Sequence, residues 1–148
     1  MAHPHPALIR VLRQTAHRLR SGGTYRWSNF GMCNCGHLAQ TVTDRSPQEI
    51  HRAAMVRSGD WGEQARDYCG STGLEMDHII EQLLAIGLTR QDIHDLERLG
   101  NTDVLRRMDP AWQKVRHHSR EYVVRYLDAW ADLLEDGLEV VPYCMAAK

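Results

Sequence analysis

Residues 74–87, with the sequence LEMDHIIEQLLAIG, carry the clearest structural pattern in the chain. Apolar side chains recur there at intervals of three and four residues, which places them on one face of an α-helix. The members of this face are Met76, Ile79, Ile80, Leu83 and Leu84. Gly87 follows at the position where glycine commonly ends a helix. The stretch therefore predicts an amphipathic helix over residues 74–86.

The same period continues on both sides of this helix. Ser46 and Asp60 are each followed three residues later by glutamate, the pattern of a capping box at a helix start. Besides 74–86, the predicted helices cover residues 4 or 6 to 20, 37–40, 47–58, 61–68, 89–99, 104–108 and 119–136. Gly137 is expected to end the last helix, and residues 138–141 are the one candidate strand. The pattern predicts an all-α fold, an irregular bundle of six to eight helices in a single domain over 1–148.

Two stretches break the helical period and are predicted to be structured loops. The first covers residues 24–36, where Tyr25, Trp27 and Phe30 lie among glycine, asparagine and cysteine residues. Its aromatic side chains either shield a site from water or anchor the loop. The second covers residues 68–73 and contains Cys69 between Tyr68 and Gly70. We expect the two loops to converge on one side of the bundle.

Composition and charge exclude several classes of protein. The chain has 148 residues, 43% of them hydrophobic, and a net charge of −1 with histidine neutral, so no overall positive field attracts nucleic acid. The helix–turn–helix outline at 79–99 does not change this, because residues 74–100 hold six acidic residues against Arg90 and Arg98. No run reaches the roughly 18 apolar residues of a membrane span, and the N-terminal residues lack the pattern of a signal peptide. The sequence predicts a cytoplasmic protein that binds neither membrane nor nucleic acid, and it names no partner.

The candidate chemistry is concentrated in the run Cys33-Asn34-Cys35-Gly36-His37. Thiolate and imidazole together favour zinc or iron, and a tetrahedral site needs four ligands. The predicted site consists of Cys33, Cys35, Cys69 and either His37 or His78. A closed shell of ligands would make the metal structural, and an open position would make it catalytic. Cys144 is expected to take no part.

A second hypothesis makes the protein an enzyme with Cys35 as its nucleophile. A cysteine at a helix N-terminus feels the positive end of the helix dipole, which lowers the pKa of its thiol. His78, preceded by Asp77, or His37 would then be the base, with Asn34 or Gln40 as an orienting group. A third hypothesis is a helical interaction domain whose cysteines belong to the core. The sequence leaves the choice between enzyme and non-enzyme open.

Overall fold

The computed structural model of the protein describes residues 1–115 and 118–146, with the backbone alone at residues 113 and 139–146. These residues form eight α-helices and one 3-10 helix, and they contain no β-strand. The predicted all-α bundle is therefore confirmed for the described part of the chain. The elements are α1 (Pro6–Arg20), α2 (Asn34–Thr43), α3 (Pro47–Met55), α4 (Trp61–Arg66), α5 (Glu75–Ala85), α6 (Arg90–Arg98), α7 (Thr102–Arg107), the 3-10 helix (Pro110–Lys114) and α8 (Arg120–Ala146).

Both predicted capping boxes are present. The Ser46 side chain accepts a hydrogen bond from the Glu49 amide at 3.1 Å, and the Glu49 carboxylate accepts one from the Ser46 amide. Asp60 and Glu63 form the same reciprocal pair at the start of α4. Each box satisfies backbone N–H groups that a helix start would otherwise leave without a partner. These local bonds explain why α3 and α4 begin where the sequence predicts.

The structure corrects the start of α2, which the sequence analysis placed near His37. The helix begins at Asn34 and Cys33 is its N-cap, with the Cys33 sulfur accepting a hydrogen bond from the Gly36 amide at 3.4 Å. Serine, threonine, aspartate and asparagine are the residues that signal an N-cap, so a cysteine in this role is easily missed. Cys35 consequently lies in the first turn of a helix and not in the preceding loop.

The end of the last helix was also predicted wrongly. α8 continues through Gly137 to Ala146, and residues 138–141 are helical, so the candidate strand is wrong. A glycine inside a helix costs only about 1 kcal/mol relative to alanine, which packing can offset. A Cβ atom at Gly137 would lie 2.5 Å from Pro4 Cγ. The glycine therefore serves the close approach of the N-terminal segment to α8.

Helix α8 packs against α1 and α7, and α2 lies centrally against α1, α3, α5 and α6. Ion pairs join α1 to α8 between Arg13 and Asp132 at 2.9 Å and between Arg20 and Asp128. Helix α4 packs against α6 so closely that a Cβ at Gly62 would lie 2.9 Å from His94 Nδ1. The buried apolar residues form one contiguous cluster, whose largest members include Leu8, Leu12, Leu19, Leu38, Ile50, Trp61, Ile79, Ile80 and Tyr126. None of the described helices is both long and apolar enough to cross a membrane.

The loop over residues 24–33 is held against α2 and α3 by two glycines. A Cβ at Gly31 would lie 2.0 Å from the Pro47 carbonyl oxygen, and one at Gly36 would lie 2.3 Å from the Phe30 carbonyl oxygen. No larger residue fits at either position without moving backbone atoms. Gln40 of α2 donates a hydrogen bond to the Gly31 carbonyl at 2.6 Å, which fixes the same contact.

Candidate functional site

The two cysteines of the Cys33–His37 run are directed to different neighbours. The Cys33 thiol donates a hydrogen bond to the Phe30 carbonyl at 3.7 Å, and the Cys35 thiol donates one to the Ile93 carbonyl of α6 at 3.4 Å. Cys33 is 4% exposed and Cys35 is 1% exposed. Each thiol thus has its own backbone acceptor inside the core.

Burial also sets the ionisation of both thiols. It raises the pKa of Cys33 to about 11, and it raises the pKa of Cys35 well above the ordinary value of a thiol. The position of Cys35 in the first turn of α2 would by itself favour a thiolate. Burial raises the pKa of Cys35 by more than the helix dipole lowers it, since a charge removed from solvent is strongly disfavoured. Both cysteines are therefore neutral thiols at neutral pH.

The imidazole of His37 holds the start of the loop against α2. Its Nε2–H donates to the Thr24 carbonyl at 2.7 Å, and Arg18 donates to the His37 carbonyl at 2.6 Å and to Nδ1 at 3.4 Å. Burial lowers the pKa of His37, and the neighbouring Arg18 guanidinium lowers it further. The ring is a neutral imidazole with both nitrogen atoms engaged.

The other two predicted ligands lie on the surface. Cys69 is exposed, its sulfur lies 3.1 Å from Ser71 Oγ, and hydrogen bonds from Ser71 lower the pKa of its thiol. The His78 side chain is 52% exposed and has Glu81 at 3.9 Å. Cys144, expected to take no part, has its side chain outside the described residues.

Residues 1–115 and 118–138, whose side chains the structure describes apart from residue 113, contain no group of three or more histidine, cysteine or acidic residues that could hold a metal ion. Cys33, Cys35, His37, Cys69 and His78 all belong to this part of the chain. The zinc or iron site stays a prediction, without support from the geometry. Asn34, proposed as an orienting group, instead donates to the Leu96 and Glu97 carbonyls at 3.0 and 2.9 Å.

Glu97, whose backbone carbonyl accepts one of the Asn34 bonds, also has a side chain that pairs with a second carboxyl group. The sequence analysis selected neither carboxyl group as a site residue. Glu97 at the end of α6 shares a hydrogen bond with Asp60, the N-cap of α4. Arg98 lies 3.4 Å from Asp60 Oδ2 and 3.5 Å from Glu97 Oε1, and the Gly62 amide donates to Glu97 Oε2 at 3.2 Å. Two acidic groups thus face one guanidinium.

The two carboxyl groups differ in burial and therefore in proton affinity. The side chain of Glu97 is 9% exposed and that of Asp60 is 37% exposed. Burial, with the adjoining Asp60 carboxylate, raises the pKa of Glu97 to about 7. Burial also opposes ionisation of Asp60, but hydrogen bonds from the Glu63 amide and from Glu97, together with Arg98, leave its pKa below the ordinary value. The pair therefore takes up a proton near neutral pH, and this proton lies mainly on Glu97.

This pair opens on a cavity of about 220 Å³, which we call the acid pocket. Its walls are built by the first loop, the start of α4 and the end of α6. The lining residues are Trp27, Ser28, Asn29, Phe30, Cys33, Asp60, Trp61 and Glu97. Three of these are aromatic, and none carries a positive charge.

The two tryptophans that line the acid pocket are held in place by different contacts. Trp61 is 1% exposed and its indole N–H donates to the Phe30 carbonyl at 3.1 Å. Trp27 is 44% exposed, and its ring stacks on His118 at 3.6 Å between centroids. The first loop therefore contributes two aromatic residues to the acid pocket. The backbone of Phe30 is bonded to Trp61, and the side chain of Trp27 is accessible to solvent.

The sequence contained one signal for this pocket. Glu97 lies four residues after Ile93, on the face of α6 that points into the core. An acidic residue on an apolar face is unusual unless it is paired. The partner, Asp60, was identified only as a helix cap, because nothing in the sequence brings α4 to the end of α6.

Comparison with protein-family models, with curated proteins and with solved structures finds no match to this chain. Its function therefore has to follow from its own residues. A cleft that combines a carboxyl group of strongly shifted pKa with apolar walls is the best candidate for a functional site. The acid pocket meets this description.

Proposed function

We propose that the protein binds a small organic cation, an ammonium group, in the acid pocket. The observation that carries the proposal is the Asp60–Glu97 carboxyl pair at a cavity lined by Trp27, Phe30 and Trp61. Carboxylates attract a cation by charge, and the faces of aromatic rings attract it through their quadrupole.

The charge balance of the pair supports a cationic ligand. Asp60 and Glu97 together carry two negative charges when ionised, and Arg98 is the cation paired with them among the described residues. Its guanidinium also donates to His94 Nδ1 at 3.1 Å, so part of its donor capacity is used elsewhere. One negative charge is left uncompensated, and in the free protein a proton on Glu97 neutralises it for part of the time. A bound ammonium group would take the place of this proton.

Cavity size and wall chemistry narrow the ligand class. Typical sites for drug-sized ligands occupy about 300–1,000 Å³, so a cavity of about 220 Å³ suits a smaller molecule or a single head group. The Cys33 thiol on the wall is neutral and has its own acceptor, Phe30. The pocket is thus suited to a methylated or primary amine with a short substituent.

The geometry gives less support to the hypotheses based on cysteine. Zinc or iron would require thiolates directed at a common point, whereas Cys33 and Cys35 bond to different carbonyls and Cys69 lies on the surface. A nucleophile at Cys35 would require access and an ionised thiol, and this residue is 1% exposed with a raised pKa. A ligand held by carboxylate groups and by the faces of aromatic rings requires neither converging thiolates nor an accessible, ionised thiol.

Isothermal titration with choline and with its uncharged carbon isostere 3,3-dimethyl-1-butanol tests the proposal. The two probes have similar shapes and differ in charge. We expect choline to bind at pH 8 at least about tenfold more tightly, since a partly buried cation–aromatic contact contributes about 2 kcal/mol. Equal affinity for the two probes, or no binding of choline, would refute a cation site.

Two isosteric variants locate the binding. Glu97→Gln and Asp60→Asn remove one charge each, and asparagine remains a good N-cap for α4. Both variants should bind choline several-fold more weakly. Glu81→Gln is the matched control, because Glu81 is an exposed residue of α5 outside the acid pocket. Wild-type affinity in Glu97→Gln would show that choline binds elsewhere.

A further inference from the structure

A second cavity of about 220 Å³ lies where the end of α1, the 3-10 helix and the first turns of α8 meet. We call it the arginine pocket. Its lining residues are Arg20, Trp112, Arg120, Glu121, Val124 and Arg125. Three guanidinium groups face one carboxylate, a lining charge of +2, in a chain whose net charge is −1.

The three arginines are not equivalent. Arg20 forms an ion pair with Asp128, and Arg120 lies 3.7 Å from Glu121. Arg125 instead lies over the ring of Trp112, with its guanidinium carbon 5.1 Å from the ring centroid. None of the acidic side chains that the structure describes forms an ion pair with Arg125. A positioned guanidinium without an anion therefore lies on the wall of a concave and positively charged cavity.

We propose that the arginine pocket binds the phosphate group of a small phosphate ester. A guanidinium presents its N–H donors as a planar fork that matches two oxygen atoms of a phosphate. A phosphate monoester carries close to two negative charges at neutral pH, and Arg125 supplies a positive charge that the ion pairs of Arg20 and Arg120 do not engage. The Trp112 ring and Val124 provide an apolar wall on which the organic part of an ester would pack. This site is independent of the acid pocket and of the function proposed for it.

The test is a titration followed by nitrogen-15 NMR of the four tryptophan indoles, with the Trp112 signal assigned from Trp112→Phe. Inorganic phosphate and phenyl phosphate are added separately at constant ionic strength, with sodium chloride as the reference. We expect a saturable shift of the Trp112 signal and no shift of the Trp61 signal. A shift that rises linearly, or one that chloride reproduces, would overturn the proposal.

The two phosphate probes distinguish the source of the ligand. Tighter binding of phenyl phosphate supports an ester whose organic part lies on Trp112. Equal affinity keeps the site but assigns it to free phosphate, which corrects the ester part of the proposal.

Variants of exposed arginines keep the test free of folding effects. Arg125→Gln should weaken phosphate binding at least fivefold, and Arg125→Lys should recover only part of this loss because lysine lacks the planar fork. Arg106→Gln is the matched control, since Arg106 is 76% exposed, pairs with Asp103 and lies outside the pocket. Binding that is unchanged in Arg125→Gln, or lost equally in Arg106→Gln, would mean a diffuse charge effect and no site.

Discussion

The acid pocket and the arginine pocket have the same volume, about 220 Å³, but they hold their charges in opposite ways. Glu97 is buried, packed against the start of α4 and bonded to the Gly62 amide. The side chains of Arg20 and Arg120 are 51% and 40% exposed. The acid pocket therefore contains a buried charged group, Glu97, whereas Arg20 and Arg120 of the arginine pocket lie at the surface.

This difference determines whether ligand binding in each pocket depends on pH or on salt concentration. A carboxyl group deprived of solvent responds by shifting its pKa, so the charge of the acid pocket changes near neutral pH. Exposed guanidinium groups stay charged at every physiological pH, and dissolved ions screen them. We therefore expect the acid pocket to depend on pH and the arginine pocket to depend on salt.

The largest expected difference between the pockets concerns stability. Trp61→Ala should lower the free energy of unfolding by about 3–5 kcal/mol, because it empties a fully buried site and removes the bond to Phe30. Trp112→Ala should lower it by only about 1–2 kcal/mol, since Trp112 is half-buried. Urea denaturation of both variants measures the two values. Equal losses would mean that the arginine pocket is as much a part of the core as the acid pocket.

The second expected effect is the pH dependence of stability at Glu97. Its pKa is raised in the folded protein to about 7 from an ordinary value of 4.5, so the folded state binds this proton more tightly than the unfolded chain. Stability from this group is therefore complete below pH 4.5 and falls as the pH rises towards 7, by up to about 3 kcal/mol. Denaturation curves should show a smaller fall over this range in Glu97→Gln than in wild type. Glu121→Gln, which changes an exposed glutamate of the arginine pocket, should keep the wild-type profile.

The third effect is on affinity and separates the two pockets directly. Choline binding should strengthen several-fold between pH 6 and pH 8, because the ionised fraction of a group with pKa near 7 rises about tenfold over this range. Phosphate binding, measured at constant pH, should weaken several-fold between about 50 and 500 mM sodium chloride, and choline binding should weaken less. Calorimetry gives both series. A choline affinity independent of pH would remove Glu97 from the site.

The smallest expected effect compares two thiols. Cys33→Ala removes the N-cap of α2 and should cost about 1 kcal/mol, whereas Cys69→Ala should cost less than about 0.5 kcal/mol because Cys69 is exposed. Thermal denaturation with elemental analysis of the purified protein checks both variants. A large loss in Cys69→Ala together with one equivalent of zinc or iron would instead support the metal site predicted from Cys33, Cys35, Cys69 and a histidine.

Much of the fold follows from patterns that act over a few residues. The stripe of Met76, Ile79, Ile80 and Leu83 predicts α5, and the Ser46–Glu49 pair predicts the start of α3. Such features depend on helical spacing and on hydrogen bonds within one turn. Two errors also have local causes, namely the cysteine cap of α2 and the glycine that does not end α8.

The candidate site depends on contacts between distant parts of the chain. The sequence by itself determined an all-α fold with most of its helix starts, and it marked Cys33–His37 as an unusual segment. Only the tertiary structure decided that α4 packs on α6, which joins Asp60 to Glu97 across 37 residues and directs Cys33 and Cys35 to separate acceptors. Helix periodicity specifies which face of a helix is buried, but it does not specify which other helix covers that face. A carboxyl pair formed by two helices is therefore visible only once the helices are packed.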